Sequence, residues 1–336
     1  MKSIVITTIA KPNRCLKSMA RNIKDNFKLI IIGDKKSPKV FSLKNAHYFS
    51  VEAQKKLNFK SDKELSYNHY SRKNLGYLIA YQDNSEFIYE TDDDNLPYKS
   101  FYKDSKLKIK CFETEKKKFI NIYRYYSNQK IWPRGFPLRF IKDKIKKISF
   151  LKKKEITSPI QQYLADGEPD VDAIFRLIFT SKDFLKKKYS FYLPKNSYCP
   201  FNSQNTVWHR SVFPLMYLPS TCSFRLTDIY RSYVAQRILW ECDNHLSFHP
   251  SSVRQIRNSH DLIDDFYHET DSYIKIDKLA YILDDLKLHK GFNNIIKNLI
   301  LCYEALIKNN FVPKSELKIL KAWIKDIKSI NENTDI

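Results

Sequence analysis

The sequence has few glycines and no glycine-rich loop of the kind that binds phosphate. Only five of its 336 residues are glycine, and it contains neither G-x-G-x-x-G nor a Walker lysine motif. Dinucleotide dehydrogenases, kinases and P-loop NTPases rely on such loops, so these classes are disfavoured. A diphosphate bound by this chain would depend on a metal ion and on lysine or arginine side chains instead.

Paired cysteines and long apolar runs are also missing. The six cysteines are scattered without a C-x-x-C pair, which argues against a zinc ribbon or a disulfide framework and indicates a reducing compartment. No apolar run approaches the roughly 18 residues that span a bilayer. The opening MKSIVITTIA is followed at once by KPNR without a cleavage site, so it predicts a strand. We expect a cytoplasmic protein, either free or peripheral at the inner face of the membrane.

Basic residues are in large excess. The chain has 59 lysines and arginines against 37 acidic residues, a net charge of +22. Nucleic acid, an anionic membrane surface and phosphorylated small molecules are the partners that such an excess suits, although a solvated lysine-rich surface also explains it. The basic residues are spread along the chain without a recognition motif, so nucleic acid is the least favoured partner.

The N-terminal hundred residues have the pattern of an α/β unit. Residues 3–9 and 28–34 predict strands with a helix between them, residues 66–82 predict a helix capped by Asn68 or Ser71, and residues 86–90 predict a third strand. Continuous apolar strands alternating with helices are typical of a buried parallel sheet. We therefore expect a nucleotide-binding half over residues 1–100.

Residues 101–260 are predicted to form an acceptor half that contains a basic amphipathic segment at 140–154. Its apolar positions are spaced as on one face of a helix, at Ile141, Ile145, Ile148 and Leu151. Such a helix can lie on anionic lipid, or it can be a solvated helix packed on its own domain.

The remainder predicts a helix, a strand and a helical extension. Thr227 is a natural N-cap, which places Asp228 in the first turn near the positive end of the helix dipole. The stretch 245–255 predicts a strand that ends at His249. Residues 261–336 predict a helical C-terminal extension, separate from a main domain at 1–260, that serves packing or association.

Three consecutive aspartates, in FIYETDDDNLP at 87–97, directly follow a predicted strand. Like charges repel, so the cluster is unfavourable unless a cation lies among them. Asp92 and Asp94, on alternate positions, can share a Mn²⁺ or Mg²⁺ ion that bridges to a diphosphate. The alternative is an aspartate-rich turn before Pro97 that satisfies local N–H groups. Ligands of open α/β sheets bind at this edge, which favours the metal site.

Several blocks carry a resemblance to a known family. The blocks SRKNLGYLIA…EFIYETDDDN, WPRGFPL, DGEPDVDAIFRL, PFNSQNTVW and TDIYRSYVAQRILWE…LSFHP resemble the STELLO-type family of glycosyltransferase-like proteins. More loosely, they resemble the nucleotide-sugar-dependent transferases of GT-A fold. The resemblance runs from about residue 3 to 260. It implies a GT-A-like, Rossmann-type mixed sheet flanked by helices.

The resemblance also implies a set of donor-binding residues. Thr7, Thr8 and Asp34 would hold the nucleoside base, and Lys73 and Asn74 would contact ribose or phosphate. Among the residues after the third strand, Asp92 would meet the ribose or the metal, Asp94 the metal, and Asp93 would cap the turn or reach the sugar.

Further roles follow on the acceptor side. Asp228 would be the general base, with Asp170 and Asp172 as rivals whose alternative role is in the first turn of a helix. His249 would complete the metal or diphosphate site, or would be a core histidine. Arg134 would hold an anionic acceptor or the diphosphate.

The predicted function is a metal-dependent, inverting glycosyltransferase. It would move a sugar from a nucleoside-diphosphate sugar to a cell-surface glycan, such as capsule or O-antigen, or to a lipid-linked acceptor. Two alternatives stay open: a mutase of nucleotide sugars, and a non-catalytic partner of a polysaccharide synthase.

Overall fold

A computed structural model describes residues 1–180, 183–185, 188–258 and 261–334. The described chain contains eleven strands and eight α-helices. The strands are β1 (Lys2–Thr7), β2 (Phe27–Ile32), β3 (His47–Phe49), β4 (Phe87–Thr91), β5 (Asn95–Pro97), β6 (Lys108–Glu113), β7 (Lys153–Thr157), β8 (Ile160–Asp166), β9 (Phe191–Tyr192), β10 (Asn205–His209) and β11 (Leu246–Gln255). The helices are α1 (Arg14–Asn22), α2 (Val51–Lys56), α3 (Lys73–Gln82), α4 (Ala173–Ile178), α5 (Thr227–Glu241), α6 (Leu262–Asp284), α7 (Ile295–Lys308) and α8 (Glu316–Thr334).

All eleven strands belong to one mixed sheet. Its order is β3-β2-β1-β4-β10-β8-β11-β9-β6-β7, and β5 pairs with β11. Strands β1 to β4 are mutually parallel where they pair, whereas β10 is antiparallel to both β4 and β8. The predicted α/β class with a mixed sheet flanked by helices and a helical C-terminal part is confirmed.

The N-terminal strands form as their sequences predict. In β1 and β2 nearly every residue is buried, because helices cover both faces of a parallel sheet. Between them, the side chain of Asn13 accepts the N–H of Leu16 and caps α1. The carboxyl ends of β1, β2 and β4 therefore meet at one edge of the sheet.

The helix predicted over 66–82 is shorter than expected. A 3₁₀ turn at Tyr70–Arg72 precedes α3, and its cap is His69 rather than Asn68 or Ser71. Asn68 has a left-handed backbone with φ of 52°, which interrupts a helix. The turn directs Tyr70 toward the edge of the sheet where the parallel strands end.

The prediction of an amphipathic helix over 140–154 is wrong. The segment contains only 3₁₀ turns at Leu138–Phe140 and Ile148–Phe150 before β7 begins. Its four predicted apolar positions do pack against the main core. Like charges at helical spacing, such as Lys142 and Lys146, oppose a helix, and pairing with β6 claims the last residues as strand.

Two predicted boundaries move by a few residues. Helix α5 begins at Thr227, but its N-cap residue is Leu226, and the Thr227 hydroxyl donates to the Ser223 carbonyl at 3.2 Å. Asp228 does lie in the first turn. His249 lies inside β11 and not at its end, since the strand continues to Gln255 past an irregularity after His249.

The C-terminal helices share the core of the sheet. Leu279 of α6, Leu299 of α7 and Trp323 of α8 belong to the same buried cluster as Val5 of β1. Asp326 of α8 accepts the backbone N–H groups of Lys60 and Ser61, both at 2.7 Å. The boundary at residue 260 stays a prediction. No helix in the described ranges combines the length and apolar character needed to cross a bilayer.

Candidate active site

A cleft of about 520 Å³ opens at the carboxyl ends of β1, β2 and β4. The N-terminus of α5 contributes to the same cleft through Asp228. Nine of the predicted site residues line it: Thr7, Thr8, Asp34, Asp92, Asp93, Asp94, Arg134, Asp170 and Asp228. The topology therefore brings residues 220 positions apart in the chain to one site.

The cleft does not carry the basic surplus of the whole chain. Six aspartates and five lysines or arginines line it, although the chain as a whole has a net charge of +22. The arrangement of these charges, and not their sum, decides what the cleft can bind.

Asp92 is paired with a cation that the protein itself supplies. The fully buried Lys73 donates to Asp92 Oδ1 at 3.1 Å and to the Thr91 carbonyl at 2.7 Å. Tyr70 Oη also donates to Asp92 Oδ1, at 2.6 Å. Lys73 lies behind Asp92 and does not itself line the cleft, so it acts on a ligand chiefly through this carboxylate.

Unlike Asp92, neither Asp93 nor Asp94 forms an ion pair with another residue that the structure describes. Thr8 Oγ1 donates to Asp93 Oδ2 at 2.5 Å, and Gln255 donates to Asp94 Oδ2 at 2.9 Å. Burial, together with the charge of Asp92, raises the pKa of Asp93, and the same causes raise the pKa of Asp94 to about 7. At neutral pH the turn therefore resists full ionisation.

The donor chemistry of this turn fits a hard divalent cation. Asp94 Oδ1 is buried and has no hydrogen-bond partner among the residues that the structure describes, and carboxylate oxygens are the ligands that Mg²⁺ and Mn²⁺ prefer. Within the described ranges, no three His, Cys, Asp or Glu side chains are placed to hold an ion by themselves. An ion here would need further ligands from water or a diphosphate, as Mg²⁺ commonly takes.

Arg134 joins the two predicted acceptor-side carboxylates. It donates to Asp170 Oδ1 and Oδ2 at 2.8 and 2.9 Å, and to Asp228 Oδ1 and Oδ2 at 3.0 and 2.9 Å. Its remaining N–H donates to the Arg225 carbonyl. All five guanidinium N–H groups are thus used, so Arg134 has no donor left for a diphosphate.

The same contacts weaken Asp228 as a base. Burial alone would raise its pKa, but the charge of Arg134 and the hydrogen bonds from it hold the pKa of Asp228 below its usual value. Asp228 is therefore ionised at neutral pH and tightly bound. To take a proton, its carboxylate would have to give up part of this bonding.

Besides Lys73, three predicted residues lie outside the cleft lining. The side-chain amide of Asn74 donates to the Leu218 carbonyl and accepts the Leu218 N–H, both at 2.9 Å. Asp172 caps α4 through the N–H of Phe175 and accepts from Trp132 at 2.6 Å. His249 lies between Ser190 and Ser247, at 2.8 and 2.9 Å, and stacks on Tyr163. Each has local partners that account for it without a ligand.

Burial sets the protonation of two of these residues. It lowers the pKa of His249 to about 3 and raises the pKa of Asp172 to about 7. His249 is thus neutral at physiological pH, as expected of a core histidine.

Several cleft residues were not predicted. Tyr70, Ser203 and Gln255 each touch a predicted aspartate. Tyr70 and Ser203 lie in or beside the quoted blocks SRKN and PFNSQ, so their polar side chains in these blocks were an available signal. No sequence pattern marks Gln255, which reaches Asp94 only because β11 pairs with β5.

Helix α6 positions two arginines that line the cleft. Arg225 Nε donates to Glu269 Oε1 at 2.8 Å, and Arg257 Nη2 donates to Asp265 Oδ2 at 2.6 Å. Both carboxylates are buried. The C-terminal helices therefore contribute to the site by fixing residues that precede them.

The sequence of the chain is similar to those of known proteins. A family model described as STELLO glycosyltransferases matches residues 225–334. The chain is 27% identical over 97% of its length to "Probable glycosyltransferase STELLO1" of Arabidopsis thaliana, and 26% identical over 97% to "Probable glycosyltransferase STELLO2" of the same plant.

The extent of these matches is informative. The chain spans 44% of each relative, which is less than half of their length. The predicted resemblance to the STELLO-type family is confirmed. It also continues through α6, α7 and α8, past residue 260, where the quoted sequence blocks end.

Proposed function

We propose that this chain, a relative of the STELLO glycosyltransferases, transfers a sugar from a nucleoside-diphosphate sugar to a glycan or lipid-linked acceptor. The observation that carries the proposal is the meeting of two carboxylate groups in one cleft. The Asp92–Asp94 turn lies at the ends of the parallel strands, and Asp228 and Asp170 come from elements on the acceptor side. Transfer between two substrates requires such a shared site.

The donor would lie along the strand ends. Thr7, Thr8 and Asp34 line that end of the cleft, where open α/β sheets bind nucleotides. A Mn²⁺ or Mg²⁺ ion held by Asp94 and Asp92 would stabilise the negative charge on the departing diphosphate. Lys73 would fix the position of the Asp92 carboxylate through their hydrogen bond.

The acceptor hydroxyl would be deprotonated by a carboxylate on the opposite side, which makes the reaction inverting. Asp228 is the proposed base, with Asp170 as its rival, since both line the cleft whereas Asp172 does not. Arg134 hydrogen-bonds both carboxylates. An acceptor that contacts Arg134 or Arg225 would loosen these hydrogen bonds and so favour proton uptake by the base.

The test is release of nucleoside diphosphate from a panel of nucleotide sugars, with Mn²⁺, Mg²⁺ or EDTA and with glycolipid acceptors present. We expect metal-dependent release that Asp94→Asn abolishes and Asp228→Asn reduces at least 100-fold, a typical size for loss of a general base. Asp104→Asn is the matched control, because Asp104 is a largely exposed partner of Lys2. Equal rates in EDTA and Mn²⁺ would remove the metal from the proposal.

A non-catalytic partner of a polysaccharide synthase is the second candidate. The observation that favours it is the full engagement of Asp228 and Asp170 by Arg134. This candidate predicts that nucleotide sugars bind without turnover for every donor and acceptor tried. Calorimetric binding measured beside the release assay separates the two.

A further inference from the structure

A chain of hydroxyl groups connects Asp92 to Asp228 across the cleft. Tyr70 Oη lies 2.6 Å from Asp92 Oδ1 and 2.7 Å from Ser203 Oγ, and Ser203 Oγ lies 3.1 Å from Asp228 Oδ2. All four residues line the cleft. Asp92 follows β4 and Asp228 begins α5, so this chain of three contacts links the two sides of the site.

The hydroxyl protons do not suffice for these contacts. Tyr70 and Ser203 have one hydroxyl proton each, whereas three oxygen–oxygen contacts each need one. Leaving the central contact without a proton would place two hydroxyl oxygens 2.7 Å apart with no hydrogen bond between them. The two favourable arrangements therefore have both hydroxyls pointing toward Asp92 or both pointing toward Asp228.

In each arrangement, the carboxylate to which no hydroxyl donates still accepts hydrogen bonds from other donors. When the hydroxyls point toward Asp92, Asp228 Oδ2 keeps the Ser203 N–H at 3.1 Å and Arg134 Nη2 at 2.9 Å. When they point toward Asp228, Asp92 Oδ1 keeps Lys73 Nζ at 3.1 Å. Because both ends are compensated, rotation of two hydroxyls is enough to convert one arrangement into the other.

The Tyr70 hydroxyl keeps its proton throughout. Burial and the charge of Asp92 raise the pKa of Tyr70 well above its usual value. Lys73 Nζ donates to Tyr70 Oη at 2.7 Å, which occupies one lone pair and leaves the other for Ser203.

We propose that Tyr70 and Ser203 are positioning residues that couple Asp92 to Asp228. A cation or donor group that takes Asp92 Oδ1 turns both hydroxyls toward Asp228 and adds a hydrogen bond to that carboxylate. Only hydroxyl rotations are involved, and no covalent bond changes. The description of Asp92 and Asp228 as donor and acceptor sides rests on the proposed function, whereas the coupling itself does not.

The coupling can be measured without a nucleotide sugar. The carboxyl carbon signals of ¹³C-labelled aspartates report their hydrogen bonding, and Asp→Asn variants assign them. We expect Tyr70→Phe to shift the signals of both Asp92 and Asp228, although Tyr70 does not hydrogen-bond Asp228. The matched control is Tyr98→Phe, which removes a hydroxyl that donates to Asp166 at 3.1 Å outside the cleft. It should leave both signals in place.

A second variant tests transmission directly. Asp92→Ala should shift the Asp228 signal, and that response should fall by at least half when Tyr70→Phe is also present. An equal response in both backgrounds, or a Tyr70→Phe spectrum in which only Asp92 moves, would overturn the proposal. Should Tyr70→Phe fail to fold, Ser203→Ala removes the other hydroxyl without losing the contact between Tyr70 and Lys73. Because Ser203 contacts Asp228 directly, the deciding signal in this variant is that of Asp92, which should shift, and the response of Asp228 to Asp92→Ala should again fall by at least half. Absence of either change would overturn the proposal. The protein can show this coupling even if it has no transferase activity. Failure of the proposed function and failure of the proposed coupling can therefore be told apart.

Discussion

The two carboxylate groups of the cleft differ in how completely the protein satisfies them. Asp170 and Asp228 together receive four hydrogen bonds from Arg134. In the Asp92–Asp94 turn, Asp92 alone forms an ion pair with another described residue, and the buried Asp94 Oδ1 has no hydrogen-bond partner among the described residues. Carboxylates that are paired with a cation of the protein stabilise the fold, whereas carboxylates that lack such a partner are stabilised when a ligand binds. The comparison therefore identifies the aspartate turn as the place where a cation would have the larger effect.

Substitution in the Arg134–Asp170–Asp228 group should have the largest effect on folding stability. Arg134→Met should destabilise the protein by roughly 3–5 kcal/mol, because it removes the ion-pair partner of two buried carboxylates. Chemical denaturation measures the loss. Arg139→Met is the matched control, since Arg139 is 73% exposed where it pairs with Asp277, and it should cost less than about 1 kcal/mol. Equal losses in the two variants would contradict the contrast.

The aspartate turn predicts an unusual dependence of stability on pH. The pKa of Asp94 is about 7 in the folded protein, above its value of about 3.9 in an unfolded chain. The folded state thus holds more protons at Asp94 between these values, so the contribution of Asp94 to the free energy of unfolding should fall by a few kcal/mol as pH rises from about 4 to 7. Asp172, with its pKa also at about 7, contributes in the same direction. His209 and His249, whose pKa values burial lowers to about 4 and about 3, contribute in the opposite direction, so the Asp94 contribution is measured against a variant that lacks it.

Asp94→Asn separates the two contributions. Denaturation curves at several pH values should show that this variant gains stability relative to the parent chain as pH rises from about 4 to 7, because the Asp94 contribution is removed whereas those of the other titrating groups remain. At pH 7.5, Mn²⁺ should raise the melting temperature of the parent chain and not that of Asp94→Asn. The same dependence of stability on pH in both chains would mean that Asp94 is not the titrating group.

A bonded carboxylate outside the cleft sharpens the comparison. Asp326 accepts two backbone N–H groups and the Ser61 hydroxyl, all within 2.7 Å. Asp326→Ala should cost about 1–3 kcal/mol, since these buried donors lose their acceptor. Divalent cations should affect the variant as they affect the parent. A changed response to Mn²⁺ would show that the C-terminal helices influence the aspartate turn.

The smallest expected effect lies within the turn itself. Thr8→Val removes the hydroxyl that donates to Asp93 and should cost about 1 kcal/mol in thermal or chemical unfolding. The pKa of Asp93 should rise further, because that hydrogen bond favours the charged form. A stabilised variant would mean that the hydroxyl adds strain to the turn and that the contact is not favourable.

The success of prediction varied with the range of the interactions. Strands β1, β2 and β4 were predictable because a continuous apolar run reports burial on both faces. The segment 140–154 was mispredicted because its apolar spacing fits a helix, whereas pairing of β7 with β6 decided its conformation. Local patterns therefore succeeded wherever tertiary contacts did not override them.

The candidate site divides in the same way. The position of Asp92, Asp93 and Asp94 after a strand and that of Asp228 in the first turn of a helix were predictable. Their contacts were not: Lys73 was expected to contact ribose or phosphate, and Tyr70 and Ser203 meet the aspartates only after residues from three parts of the chain come together. The assignment of Arg134 to an anionic acceptor or a diphosphate did not anticipate that two aspartates and the Arg225 carbonyl would use all its donors.

Sequence alone determined the α/β class and the position of an acidic turn at the edge of a parallel sheet, because both follow from local patterns of burial and charge. Only the tertiary structure decided which carboxylates are neutralised. That depends on distances of about 3 Å between residues far apart in the chain, such as Arg134 and Asp228, which are 94 positions apart, and no local pattern records such distances.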